Sequence, residues 1–158
     1  MKETDLWDKM RDPFACHGKF QKTNDRFTLG IPDVLGCSSS VGWAMELKEF
    51  DGVRKLSVRF RPGQLDWLRD WEQAGGISFV VAAWGLRPLV FSWKAGEFLE
   101  EGCTPEEMLR LALLDGGIRR GPRLWRDFVN QLITLGQNRW RATQGHRYVS
   151  QLRPLRAP

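Results

Sequence analysis

"GIPDVLGCSSSVGWAMELKEF", residues 30–50, reads as two short strands around a polar turn, and three of its charges sit badly in that picture. Val34, Leu35, Trp43, Ala44, Met45 and Leu47 mark segments that a folded chain buries, yet Asp33, Glu46 and Lys48 lie among them. Burying a charge without a partner is strongly unfavourable. Successive side chains on a strand alternate faces, so Glu46 and Lys48 point the same way while Met45 and Leu47 point into the core. If the strands pair through a turn at 36–42, Asp33 lies across from them, and two carboxylates and a lysine converge at one edge of the sheet. Adjacent carboxylates repel and raise a pKa unless a cation sits between them. A hard divalent ion suits that place, since magnesium prefers carboxylate and carbonyl oxygens and keeps other positions for water and phosphate. The plainer alternative makes Asp33 a turn residue and Glu46 with Lys48 an exposed ion pair on an edge strand.

Outward from this stretch the apolar pattern orders the elements. Residues 4–12 form a helix with Leu6, Trp7 and Met10 on one side, stopped by Asp12-Pro13. Strands are expected at 19–23, 28–35, 43–50 and 55–60, the last by its period-two alternation. Arg61-Pro62-Gly63 opens a helix with Leu65, Leu68 and Trp71 or Glu72 at helical spacing, stopped by Ala74-Gly75-Gly76. "ISFVVAAW", 77–84, is a continuous apolar run expected as a central strand covered on both faces, with 89–93 as its hairpin partner. Thr104-Pro105-Glu106-Glu107 is a capping box that starts a helix to about 114. A further helix over 122–135 is expected to bury Leu124, Phe128, Leu132 and Leu135, and the glycines at 116, 117, 121 and 136 are the candidate linkers. The order is α/β, divided into a core over 1–100 and a helical extension over 101–158 packed on it.

The 158 residues, 42% hydrophobic and 27% charged, suit one globular domain. The N-terminal stretch has no apolar run of signal-peptide type, and no segment approaches the length of a membrane helix, so a cytoplasmic or nucleoid-associated protein is expected. Cys16, Cys37 and Cys103 are odd in number and lack CxxC spacing, which disfavours a disulfide framework or zinc knuckle and leaves small, partly buried thiols. Charge is unevenly placed: residues 1–117 hold 15 Lys or Arg against 18 Asp or Glu, whereas 118–158 hold nine Arg and the single acid Asp127. Arg119, Arg120, Arg123, Arg126, Arg139, Arg141, Arg147, Arg153 and Arg156 interleave with Trp125, Trp140 and Tyr148, a mix fit for phosphate contact and base stacking. Lys19, Lys22 and Arg26 add basic charge before the motif. A solvated helix face and an acidic protein partner are the competing readings of the tail.

Pro32-Asp33, twelve residues, then Glu46-Leu47-Lys48 resembles the PD-(D/E)xK nuclease superfamily, whose core is a helix, motif-bearing strands, a helix and a further strand. "GIPDVLG" and "RPGQLDWLRDWEQAGGISFVVA" look like its VRR-NUC and Holliday junction resolvase-like branches. The resemblance, over about the first 95 residues, implies a restriction-endonuclease-like core, with the arginine-rich extension outside it. It implies that Asp33, Glu46 and the backbone carbonyl of Leu47 bind Mg2+ or Mn2+. Lys48 would orient or activate water and stabilise phosphate charge, and Gln64 would position the water or a phosphate oxygen. Many members add a glutamate from the first helix; Glu3 is the favoured match here, with Asp5, Asp8 and Asp12 as shorter alternatives.

The function so implied is a metal-dependent endonuclease hydrolysing DNA phosphodiesters, on branched or structured DNA, of a stand-alone kind that phages carry. Lys19, Lys22, Arg119, Arg120, Arg123, Arg139, Trp140, Arg141 and Arg147 are the candidate DNA contacts. A homodimer follows by analogy with resolvases, with exposed apolar residues of the 104–135 helices as its interface. The host cytoplasm or a virion would be the setting. The alternative is a catalytically retired, packaging-associated DNA-binding or virion structural protein that keeps the fold. Lys48→Ala is expected to spare folding and metal binding while removing activity.

Overall fold

The computed structural model describes residues 1–23, 28–118 and 121–151, with side chains through Gln144. In chain order it contains α1 (Glu3–Ala15), β1 (Lys19–Lys22), β2 (Val34–Ser38), β3 (Val41–Glu49), α2 (Gln64–Gln73), β4 (Ile77–Trp84) and β5 (Arg87–Phe91). A short 3-10 turn (Trp93–Ala95), α3 (Gly96–Glu101), α4 (Pro105–Leu111), β6 (Leu114–Asp115) and α5 (Pro122–Gln151) follow. The protein is α/β. Six strands form one sheet in the order β1-β2-β3-β4-β5-β6, with β3 and β4 parallel and every other neighbour antiparallel. The parallel pair requires a crossover, and residues 50–76, including α2, provide it.

Both faces of the sheet are covered, so the continuous apolar run of β4 is buried along nearly its whole length. On one face, Leu6, Met10 and Phe14 of α1 and Phe128, Val129 and Leu132 of α5 pack on Trp43, Met45, Leu47, Phe79 and Val81. On the other, Leu68 of α2, Leu99 of α3 and Met108 of α4 cover Ala44, Val80, Ala82, Leu89 and Phe91. No helix among the described residues is long and apolar enough to cross a membrane.

Several expected boundaries move, each for a local reason. α1 runs through Pro13 instead of stopping before it, because fully buried Phe14 anchors the last turn and offsets the hydrogen bond that proline removes. The strand expected at 28–35 begins only at Val34, since 28–30 bend and turn, and Pro32 lacks an N–H for a ladder. The turn expected at 36–42 shrinks to Ser39 and Ser40, both left-handed (φ 51° and 63°), as in a two-residue hairpin loop whose twist matches its strands. Residues 55–60 keep their alternating burial, with Leu56 and Val58 inside, but form no strand: Leu56 pairs with Cys103 and the Val58 amide donates to Leu99, away from the sheet. Residues 96–101, expected as no element, form α3. The helix expected to reach 114 ends at Leu111, and β6 follows at once. Cys103 is buried, whereas Cys16 and Cys37 are exposed, and all three are free thiols.

The last helix departs most. Gly136, a linker by its sequence, lies mid-helix, where a Cβ would come within 2.1 Å of the Trp43 ring. The missing side chain lets α5 lie flat on the sheet. Leu124 is exposed, and Trp125, Val129 and Ile133 occupy the buried stripe beside Phe128 and Leu132. Replacing Gly136 with alanine therefore overpacks the core. The expected cost of about 1–3 kcal/mol exceeds the gain in helix propensity, about 1 kcal/mol. Urea unfolding should show a lower midpoint; an unchanged or raised midpoint would mean that Trp43 has room to move.

Candidate active site

Glu3, Asp33, Glu46, Lys48 and Gln64 converge at the carboxyl end of β3. Glu46 is 0% and Lys48 5% exposed on the third strand of six, which rules out an exposed ion pair on an edge. Lys48 Nζ stands 2.6 Å from Glu46 Oε1 as a close ion contact. Neither Glu46 oxygen has an aligned hydrogen-bond donor among the described residues. Gln64 Oε1 accepts from Lys48 Nζ at 3.1 Å and from the Arg61 amide at 2.8 Å. Asp33 Oδ2 accepts the Leu47 amide at 2.9 Å. Glu3 Oε1 lies 3.9 Å from Lys48 Nζ, and the Phe60 ring lies beneath the ammonium with its centroid at 5.3 Å.

Backbone constraints place these groups. Val34 pairs with Met45, and continuing that register by one residue sets Asp33 opposite Glu46. The Thr23 amide and hydroxyl donate to the carbonyls of Asp33 and Pro32, at 2.8 and 2.6 Å. The Asp33 carboxylate then accepts the Leu47 N–H where the β2 ladder has ended, and this bond aims its side chain at β3. Gly30 and Gly63 hold the loop before β2 against the start of α2. Both have left-handed backbones (φ 84° and 85°), and a Cβ on Gly30 would meet the Gly63 carbonyl at 2.7 Å. Gln64 is thereby set at the first position of α2, facing Lys48. Glu3, expected just before α1, is its first residue. Of the shorter alternatives, Asp5 accepts the Lys2 amide and Asp12 pairs with Arg11.

Burial, and next the neighbouring Asp33 charge, push the Glu46 carboxyl up to about 8, and the Lys48 ammonium only partly opposes this. Burial likewise raises Glu3, with Lys48 opposing. A dry carboxylate whose one cationic neighbour among the described residues is Lys48, set beside a second carboxylate, is a donor set with more negative than positive charge, and it fits a hard cation. Among the described residues no group of three or more His, Cys, Asp or Glu is placed to hold a metal ion. The fit is to a cation that takes two carboxylates and keeps water and phosphate in its other positions.

The basic residues are spread wider. Lys22 is half-buried and close enough to Glu3 to oppose the rise in its pKa, which puts it at the rim of the site; Lys19 is exposed on the edge strand β1. Arg123 and Arg141 are exposed on α5, while Arg139 stands 3.6 Å from Glu72 and over the Phe79 ring. Trp140 is half-buried, its indole donating to the Gly75 carbonyl at 2.9 Å. Trp125, a candidate stacking residue by its arginine neighbours, is buried in the core. Arg26, Arg119, Arg120, Arg153 and Arg156 lie outside the described residues, as do the side chains of Arg147 and Tyr148. Arg139 and Trp140 lie beside the start of β4, level with Trp43 on β3, whereas Lys48 is five residues further along that strand, about 16 Å at strand rise. The described arginines of α5 beyond Gly136 thus sit at the end of the sheet opposite the carboxylates. A surface groove of about 600 Å3 between α1 and the start of α5 contains none of the five converging residues.

Two neighbours escape sequence reading. Arg61 and Phe60 precede the Pro62-Gly63 turn, which by sequence is only the opening of a helix. A helix beginning opposite a charged strand end is the available signal that its leading residues face the site.

No family model matches the chain, and no curated protein matches it. Among solved structures, the fold is similar to Hjc, a Holliday junction resolvase from Archaeoglobus fulgidus, an archaeal hyperthermophile. The similarity covers 70% of this chain and 93% of that one, at 16% identity and a TM-score of 0.47.

Proposed function

We propose that this chain is a metal-dependent endonuclease of the PD-(D/E)xK type that hydrolyses DNA phosphodiesters on branched or structured DNA. The observation that carries the reading is the fully buried Glu46, whose one close partner among the described residues is the Lys48 ammonium at 2.6 Å, opposite Asp33 on the neighbouring strand. Asp33, Glu46 and the Leu47 carbonyl would hold Mg2+ or Mn2+. Such an ion supplies Lewis-acid polarisation of the phosphate and lowers the pKa of water. Lys48, which faces Glu46 at 2.6 Å, would offer its charge to the phosphate oxygens. Gln64 and the Phe60 face fix where that ammonium can go. Glu3 is a further acidic group at the rim. The "GIPDVLG" approach and the position of Gln64 favour the VRR-NUC and resolvase-like branches within the superfamily. Residues 1–100 carry the chemistry in this reading, and residues 101–158 supply DNA contacts while packing on it.

Supercoiled plasmid and a four-way junction, each with Mg2+ and with EDTA, provide the test. Metal-dependent nicking or junction cutting is expected. Binding without cleavage in any metal would replace the enzyme with the DNA-binding structural protein.

The basic tail has its own expected result. Cutting the chain after Gly136 would remove the Trp140–Gly75 bond and break α5 where it lies on Trp43, so the informative truncation is after Gln144. It removes Arg147, Arg153 and Arg156, and the log-affinity against log-salt slope for duplex DNA should shrink by up to about 0.9 for each phosphate no longer neutralised. An unchanged slope would assign those arginines to something other than DNA.

A further inference from the structure

The end of the sheet far from the carboxylates carries a second aromatic feature that the proposed reaction does not use. Trp71 of α2 and Trp140 of α5 line a cleft of about 250 Å3, floored by Gly42, Gly75 and Gly76 and edged by Ser40 and Ala74. Both rings are held in place: Trp71 Nε1 donates to the Gly42 carbonyl at 3.3 Å, and Trp140 Nε1 to the Gly75 carbonyl at 2.9 Å. Trp71 also stacks on Trp67, with ring centroids 4.9 Å apart and planes 17° from parallel, so the aromatic surface continues along α2. Both cleft tryptophans are only half-buried, and their polar edges are already satisfied. What they still offer is apolar ring surface.

Charge selects the occupant. Exposed Arg141 follows Trp140 on α5, while Arg139 before it already faces Glu72, and the stretch 118–158 holds nine arginines against one acid. A polyanion carrying flat apolar rings matches pinned indoles beside an exposed arginine, whereas an apolar peptide would leave Arg141 unanswered. Duplex DNA keeps its bases stacked inside, so an indole cleft is useful only for bases without a partner. We propose that the Trp71–Trp140 cleft binds an unpaired base of a single DNA strand, held by stacking and by phosphate contact to the neighbouring Arg141. The cleft lies six residues along β3 from Lys48, about 20 Å at strand rise, so it is a separate site from the carboxylates. The inference rests on DNA being this chain's ligand and is independent of cleavage.

The test compares oligo(dT) with an abasic oligomer of equal length, read by fluorescence anisotropy and tryptophan quenching, with a duplex as reference. Wild type should bind oligo(dT) about tenfold more tightly than the abasic strand, the size of one base–aromatic stack. Ala74→Gln puts a neutral side chain into the cleft from an exposed helix end, leaving core and phosphate attraction untouched. It should abolish the base preference without changing duplex affinity. Equal affinity of wild type for both strands, or a preference that survives in Ala74→Gln, would overturn the inference while DNA binding stands. Failure of wild type to bind any of the three DNAs would overturn both this inference and the proposed function.

Discussion

Lys48→Ala is expected to lower metal-dependent DNA cleavage by about 10²–10⁴-fold, the range for loss of one positioned charge or proton-transfer group. The structure revises the accompanying expectation that folding would be spared. Lys48 is the cation 2.6 Å from Glu46, and Glu46 has no other close contact of opposite charge among the described residues. Removing one partner of a buried pair typically costs about 3–5 kcal/mol, although burial already pushes the Glu46 carboxyl up to about 8 against the opposing Lys48 charge, so its protonation reduces this at neutral pH. The metal-free variant should thus melt well below wild type at pH 9 and closer to it at pH 6, while saturating Mg2+ narrows the gap without restoring turnover. Cleavage at the wild-type rate would remove Lys48 from the mechanism.

Glu46→Gln should separate stability from function in the opposite direction. The Glu46 carboxyl is raised from 4.5 to about 8, so between those values the folded state holds a proton that the unfolded chain has lost. Stability of the metal-free protein therefore falls as pH rises through that window. Mg2+ should offset the loss at its upper end by binding only the folded state. A neutral glutamine does not titrate, so the variant should show a flatter pH profile from this position and match or exceed wild type in thermal stability at pH 8 without metal. It should also lose both the Mg2+-induced rise in melting temperature and cleavage. A Mg2+ shift equal to that of wild type would place the metal elsewhere, and an unaltered pH profile would mean that Glu46 is better solvated than its burial indicates.

The sheet's centre was legible because two simple signals coincide there. An unbroken apolar run can be satisfied only by cover on both faces, and β4 has it; alternation put Glu46 and Lys48 together, and β3 keeps that phase. The convergence of Asp33 was legible from the hairpin, though its two-residue turn was not, because Ser39 and Ser40 adopt left-handed backbones that sequences usually assign to Asn and Gly. What stayed hidden depends on distant partners. Period-two burial at 55–60 does not reveal that the backbone bonds go to Leu99 and Cys103. A helix carried through Pro13 depends on Phe14 finding a pocket, and Gly136 reads as a break until Trp43 is seen beneath it. At the site, the Asp33–Leu47 bond could not be read locally because it exists only where the β2 ladder has run out.

That bond also turns one backbone amide into a spectroscopic probe. The Leu47 N–H points at a carboxylate oxygen rather than a carbonyl, so its proton chemical shift and its hydrogen-exchange rate depend on the charge state and ligation of Asp33. Leu47 itself is fully buried, which keeps solvent from masking the effect. A single resonance on β3 would therefore report a cation arriving at the neighbouring carboxylates, in a protein with no chromophore at that point, and would do so without any substrate being turned over.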